Sequence, residues 1–251
     1  MSFVDVHTHL DYIQHDTIEN VLKRAKESGV NVIINNGTNP AKNRISLELA
    51  EKYPCVKAAL GLYPTDALKM TDSEIDAELD FIKVNNDKII ALGEVGIDYH
   101  WIKDANEQKR EREIFEKVLK LAEKLKKPIL VHSRKAEEDA IEMIKNFKVK
   151  KVIMHCFGGN LKLVPKIVDF GWSFSIPANV VRDNHFQKIV EMVPTTQILT
   201  ETDAPFLGPE KNIPNEPMNI AKAVSMIAKI KKMTPEEMEQ VIFLNYQRLF
   251  V

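Results

Sequence analysis

The sequence predicts an α/β protein built as a (β/α)8 TIM barrel. Three observations carry this. Eight short β-rich apolar runs alternate with amphipathic helical stretches, 251 residues hold all of them, and metal-type side chains recur where the runs end. Strict strand–helix alternation implies βαβ units and a parallel sheet. Eight such units in about 250 residues match the size of a barrel. The rival is a doubly wound open sheet, which usually carries a glycine-rich phosphate turn after an early strand. Neither GxGxxG nor GxxxxGK[ST] occurs.

In chain order, the runs cover residues 3–6, 30–34, 56–60, 89–92, 128–131, 151–154, 172–176 and 197–200. Helical segments between them include 17–28, 41–52, 72–84, 107–125, 136–146 and 161–170, and two more, 219–231 and 235–249, follow the last strand. Asp16-Thr17-Ile18-Glu19 and Thr71-Asp72-Ser73-Glu74 read as helix starts, because a short polar side chain there can cap the first free N–H groups. No Pro/Gly/Ser-rich linker or low-complexity tract divides the chain, so residues 1–251 are read as one domain.

Composition narrows the function. Hydrophobic residues make up 44% and charged residues 28%, ordinary for a globular protein and outside the disordered, collagenous and disulfide-scaffold classes. Lys+Arg is 35 against Asp+Glu 36, a net charge of −1, whereas a protein that coats nucleic acid electrostatically carries a basic excess. The N-terminus, with Asp5, His7 and His9 in its first ten residues, is not a signal peptide. No apolar run reaches the ~18 residues of a membrane span. Cys55 and Cys156 form no CxxC pair, so a reducing, cytoplasmic setting is expected.

The unusual side chains cluster by position. His7 and His9 end strand 1, Glu94 strand 4, His132 strand 5, His155 strand 6 and Asp203 strand 8. All lie at the C-terminal ends of strands, the catalytic face of a barrel. Residues i and i+2 of a strand share a side, so His7 and His9 can reach one metal. Alone, HxH is equally well two polar residues at a strand end. Four more potential ligands at equivalent positions, in a chain with seven histidines, make the metal reading strong. Glu94 follows the apolar Ile89–Gly93 stretch, where a carboxylate needs a pairing partner or a cation. A salt bridge is its simpler alternative. By the i, i+2 rule Arg134 shares a face with His132 and can aim at an anion; otherwise it is a surface charge. Glu201, two residues before Asp203, is read equally as a catalytic group and as a satisfied buried acid. Cys156 is expected to point away from His155 and pack against helices. His15, His100 and His185 are read as solvated or hydrogen-bonded. Ser133 lies beside His132, but without a GxSxG elbow serine-hydrolase chemistry is unsupported.

These residues sit in recognisable motifs: FVDVHTHL at 3–10, GEVGIDY at 93–99, VHSR at 131–134, HCF at 155–157, ETDAP at 201–205, NEP at 215–217 and NYQRLF at 245–250. The set resembles the TatD family of metal-dependent deoxyribonucleases, in the amidohydrolase superfamily of barrels, along the whole chain. The resemblance implies two divalent ions, with Zn²⁺, Mn²⁺ or Mg²⁺ all open. His7, His9 and Asp203 would hold one, His132 and His155 the other, and Glu94 would bridge. Many amidohydrolases bridge with a carboxylated lysine instead. The chain departs from the family at 61–64, where Gly-x-His-Pro becomes Gly61-Leu62-Tyr63-Pro64 and offers the substrate a phenol.

On that reading Asp203 accepts a proton from the attacking water and Arg134 holds a phosphate oxygen. Tyr63, Tyr99, Trp101 and Phe157 stand in rim loops where aromatic rings can stack on bases or simply pack. The expected partner is nucleic acid, as short single strands or frayed DNA ends. A hydrolase of another small ester, amide or lactone is the alternative, because the same metals activate water for any electrophile. A non-catalytic binding barrel is the third reading. The lysine clusters at 124–127 and 145–151 precede strands 5 and 6 and so belong to the face opposite the site. The cluster at 229–232 lies in the C-terminal extension, which the sequence does not place.

Overall fold

The computed structural model describes residues 2–251. Strands β1 (Phe3–Thr8), β2 (Val30–Asn36), β3 (Val56–Leu60), β4 (Ile89–Asp98), β5 (Ile129–Arg134), β6 (Val152–His155), β7 (Ser173–Pro177) and β8 (Ile198–Glu201) form one parallel sheet in sequential order. Asp203 N donates to His7 O and His9 N to Ala204 O, each at 2.9 Å, so the sheet's two edges meet in a nearly closed barrel. Helices α1 (Ile18–Glu27), α2 (Pro40–Lys52), α3 (Pro64–Ala67), α4 (Asp72–Val84), α5 (Ala105–Leu125), α6 (Glu137–Ile144), α7 (Val164–Asp169) and α8 (Asn184–Met192) lie between the strands. After β8 come α9 (Ile220–Lys231) and α10 (Pro235–Phe250). This is the (β/α)8 barrel that strand–helix alternation predicts.

Local chemistry explains the helix starts. The Thr17 side chain accepts from Asn20 N at the head of α1, and Thr71 with Glu74 forms a reciprocal capping box on α4. The short α3 and the helix α8 are additions to the expected elements. Helix α8 buries Phe186, Ile189 and Val190, an i, i+3, i+4 stripe within a nine-residue polar–apolar mix not among the expected segments.

Apolar side chains form two shells. One fills the barrel interior with Val4, Val6, Ile34, Ala59, Leu130 and Leu199, among others, and a larger one lies between sheet and helices. Helix α10 adds Tyr246, Leu249 and Phe250 to the interior shell. Its Asn245 donates to Ile198 O at 2.8 Å, where β8 begins, so α10 closes the N-terminal mouth of the barrel.

Two strands break their alternation just where the site begins. Val4 and Val6 face the interior, but the β1–β2 register shifts between Asp5 and Thr8. In β4, Ala91 belongs to the interior shell while Val95 and Ile97 belong to the outer one, and the β4–β5 register shifts between Leu92 and Val95. Such bulges re-aim side chains. They bring His7 with His9, and Glu94 with Asp98, to the barrel axis. Strand β4 therefore continues past its expected end at 92 and carries Glu94 inside it. Gly96 makes this possible: at φ 149° it lies so close to β5 that a Cβ would stand 1.9 Å from the His132 carbonyl oxygen.

Candidate active site

The six expected metal-type residues converge at the C-terminal end of the barrel. His7 Nε2 and His9 Nε2 are 3.2 Å apart. Both face Glu94 Oε2, at 3.6 and 3.4 Å, and Asp203 Oδ1, at 3.8 and 3.5 Å. On the other side of Glu94, Oε1 lies 3.0 Å from His132 Nδ1 and 3.9 Å from His155 Nε2. The His7 and His155 rings stack with centroids 3.6 Å apart. His7, His9 and Glu94 thus make one group, and Glu94, His132 and His155 a second, with ligand atoms inside each within 4.8 Å of one another. Asp203 reaches the cluster from a left-handed turn (φ 54°) directly after β8.

The outward-facing nitrogens decide what the inward-facing ones offer. His9 Nδ1 lies 3.0 Å from Asn36 O, an acceptor only, so it carries the proton. His132 Nε2 donates to Asp98 Oδ2 at 3.0 Å, and His155 Nδ1 donates to Glu201 Oε2 at 2.8 Å. In neutral imidazoles this turns three lone pairs toward the carboxylates of Glu94 and Asp203. Lone pairs facing lone pairs at 3–4 Å repel unless positive charge stands between them. The donor set, mixed imidazole nitrogen and carboxylate oxygen with each imidazole held from behind, fits divalent cations.

The acid–base balance agrees. Burial opposes charge on Glu94, yet contacts with His132, His7 and His9 hold it well below the ordinary carboxylate value. Asp203 is likewise lowered against burial, by His9, His155 and His7. Two anions therefore sit side by side among buried imidazoles. Burial and the adjacent His155 push His7 down to about 3, so it stays neutral. His132 is raised to about 9 and His9 well above its usual value, in each case because neighbouring carboxylates outweigh burial. The carboxylates thus draw in positive charge, as imidazolium protons or as metal ions.

A cavity of about 760 Å³ opens above the cluster, lined by His9, Glu94, His132, His155, Asp203 and Arg134 among others. Arg134 is exposed at its rim, its guanidinium carbon 5.6 Å from the centre of the Trp101 ring. Other expectations are redrawn. Tyr63 lines the cavity, and its hydroxyl donates to Asp98 Oδ2 at 3.1 Å, which leaves its oxygen lone pairs and its ring to a ligand. Tyr99 does not join the lining. It follows Asp98 on the opposite side of the strand and donates to Asp139 Oδ2 at 2.7 Å, in α6. Glu201 is fully buried behind His155, where it also accepts from the Ser175 hydroxyl, so it orients the His155 ring and does not face the cavity. Cys156 packs against the outer apolar shell as expected but also borders the cavity, because the chain leaves β6 at His155 in a left-handed turn (φ 41°).

Two buried acids escaped the sequence reading. Asp98 Oδ2 receives both His132 and Tyr63, while its Oδ1 accepts His100 N at 2.8 Å and Trp101 N at 3.1 Å. Asp5 ties the barrel's seam, accepting Thr202 N at 3.0 Å and Thr202 Oγ1 at 2.5 Å. Burial pushes Asp5 up to about 8 despite those bonds. Both stand in motifs already visible; Asp98 is marked only by its inward register, and Asp5, between the inward-facing Val4 and Val6, only by its bonds to Thr202.

Comparison with known proteins gives the family and the fold. The family model described as TatD related DNase matches residues 4–251. The human protein named deoxyribonuclease TATDN3 is 34% identical over all of this chain and 95% of its own length. A protein of Methanocaldococcus jannaschii, named an uncharacterised metal-dependent hydrolase, is 38% identical over all of this chain and 97% of its own. The crystal structure of a TatD homologue from Escherichia coli K12 superposes with a TM-score of 0.89 at 26% identity, covering 99% of this chain and 97% of that one. The chain belongs to the TatD family of metal-dependent hydrolases.

Proposed function

We propose that the chain is a two-metal phosphodiesterase acting on DNA, at short single strands or frayed ends, as a single cytoplasmic catalytic domain. The observation that carries this reading is the Glu94 carboxylate, whose two oxygens face separate imidazole groups at the floor of an open cavity. The deoxyribonuclease name of the human relative supports the substrate class. His7, His9 and Asp203 would hold one divalent ion, His132 and His155 the second, and Glu94 would touch both. When bound, such ions supply Lewis acidity to the phosphoryl group and lower the pKa of water. Four imidazoles suit Zn²⁺ or Mn²⁺ better than Mg²⁺.

The chain's own residues would do the rest. Asp203, an anion at the cavity floor, takes the proton of the water that attacks phosphorus. Arg134 grips a non-bridging oxygen from the rim. The P–O bond to the leaving nucleoside breaks, and its oxygen takes up the proton that Asp203 received, giving a phosphomonoester and a free hydroxyl. Asp98 and Glu201 keep the outer nitrogens of His132 and His155 protonated, and so keep their inner lone pairs available. No described helix is long and apolar enough to cross a membrane. The test is hydrolysis of a labelled oligonucleotide and of a panel of small esters and lactones, with chelator and after metal is restored. Chelator-sensitive oligonucleotide cleavage is expected. Turnover of esters or lactones with none of the oligonucleotide would refute the reading.

A further inference from the structure

Large apolar side chains normally leave water, so those that stay exposed need a reason. Trp101 is 64% exposed and Phe206 52%, and both line the cavity above the metal ligands. The other exposed large apolar residues among those described, such as Val84 and Leu244, lie outside it. Trp101 follows β4, on the His132 side. Phe206 follows β8, and its ring centre is 6.4 Å from that of Tyr12, which in turn lies 5.5 Å from His9. In a barrel of order β1 to β8, the β4–β5 rim lies across the axis from the β8–β1 rim. The two rings therefore flank the ligand cluster from opposite sides.

Each residue is anchored through its backbone. Trp101 N is bonded to Asp98, and the Arg134 guanidinium covers one side of its ring, leaving the rest to solvent. Phe206 N donates to Asp203 O at 2.8 Å, so its backbone is fixed to a ligand residue. Stacking needs a rigid, open aromatic face and tolerates any base.

We propose that Trp101 and Phe206 are stacking platforms for the two nucleosides flanking the phosphate that is cleaved. This rests on the phosphodiesterase reading above and narrows its substrate. Bases paired in a duplex cannot splay onto two opposed rings, so the substrate is an unpaired stretch of at least two nucleotides.

The experiment compares a short oligothymidine with the same chain made abasic around the cleaved phosphate, using metal-loaded protein. For the native enzyme, kcat/KM for the base-carrying chain should exceed that for the abasic one at least tenfold, since each stacked base contributes about a factor of ten. Trp101→Ala and Phe206→Ala should each shrink that ratio severalfold, and Trp101→Phe should restore most of it. The ratio is internal, so partial loss of folded protein or of metal does not alter it. In parallel, chelator-treated protein is titrated with oligothymidine and its tryptophan emission followed. Trp172 is 5% exposed, so Trp101 is the tryptophan a base can reach, and quenching should vanish in Trp101→Phe. Equal turnover of both chains by the native enzyme, or a ratio untouched by Trp101→Ala, would overturn the stacking role. Quenching without any phosphodiester cleavage would keep the platforms and overturn the nuclease reading.

Discussion

Replacing Asp98 with asparagine changes one atom and disturbs four hydrogen bonds. The carboxylate accepts from His132 Nε2 and Tyr63 Oη on one oxygen and from His100 N and Trp101 N on the other. An amide has one accepting oxygen and one donating nitrogen, so one of these pairs must meet an NH2 group. If the NH2 turns toward His132, the ring must move its proton to Nδ1, and the lone pair now 3.0 Å from Glu94 Oε1 is lost. If it turns toward the backbone, donors oppose donors under Trp101. Asp98 also carries real charge: His132 holds its pKa low against the burial that would raise it. Loss of such a partner behind a ligand typically costs 10–100-fold in metal affinity or activity. A buried donor left unpaired costs about 1–3 kcal/mol of stability. We therefore expect Asp98→Asn to remain folded, with a Tm lower by several degrees, and to bind metal 10–100-fold more weakly at the His132 position. Turnover should be largely restored by excess metal. Calorimetric titration of chelator-stripped protein, with thermal unfolding alongside, measures both quantities. A folded variant with native affinity and native kcat would refute the claim that Asp98 fixes the His132 proton.

Other outcomes follow from the same geometry. Glu94→Ala should lose metal from both positions, because its two oxygens face different imidazole groups; elemental analysis giving one full equivalent in native and variant protein alike would reject bridging. Asp203→Asn should lower kcat by orders of magnitude with KM little changed, and Arg134→Ala should chiefly raise KM; the opposite split in steady-state kinetics would reverse the assigned roles. Glu111, buried on α5 and bonded to Asp98 N, is raised to about 7, first by burial. Its folded pKa exceeds its unfolded one, so the native chain loses stability as pH rises from the ordinary carboxylate range to about 7. Glu111→Gln should therefore match the native protein at pH 4 and exceed it by on the order of 2 kcal/mol above pH 7. Denaturant curves showing no pH-dependent gap would count against it. Binding of oligothymidine to a catalytically dead variant should fall only shallowly with salt, with a log–log slope of about −0.7 to −2 for one to three phosphates. A steep slope abolished by substituting Lys126, Lys127, Lys150 and Lys151 would place the path on the opposite face.

The sequence made the barrel legible because each strand–helix unit repeats one pattern, and the metal-type residues legible because they recur at one place in that pattern. What it hid was register. With Val4 and Val6 facing inward, strict alternation would bury position 8 in the interior and turn His7 and His9 away. A bulge between Asp5 and Thr8 restores them, and a second between Leu92 and Val95 does the same for Glu94. A bulge has no reliable signature in a single sequence, so Asp98 kept its place in a motif without a role. The same limit explains Tyr99 and Cys156. The first was judged by its loop, although β4 continues to Asp98 and sets its side. The second does pack against the outer shell, as alternation predicts, but the strand ends before it and the turn also brings it to the cavity.

Charge placement limits how a barrel with no basic excess would take the polyanion proposed as its substrate. Lys127 donates to Ile89 O, where β4 begins, and Lys150 and Lys151 lead into β6. The third cluster, unplaced by sequence, now joins them: Lys231 Nζ donates to Val193 O at 2.6 Å, between α8 and β8. All three lie at the N-terminal end of the barrel, the end that α10 closes, and cannot touch a phosphate at the site. The rim above Glu94 offers Arg134 and whatever cations the ligand cluster holds. Long-range attraction along a strand is therefore weak, and recognition must come from contacts within the cavity. If the chain cleaves DNA as proposed, such a site would favour a phosphodiester that is already unpaired and near an end, because an intact duplex presents its charge along a length that this face does not answer.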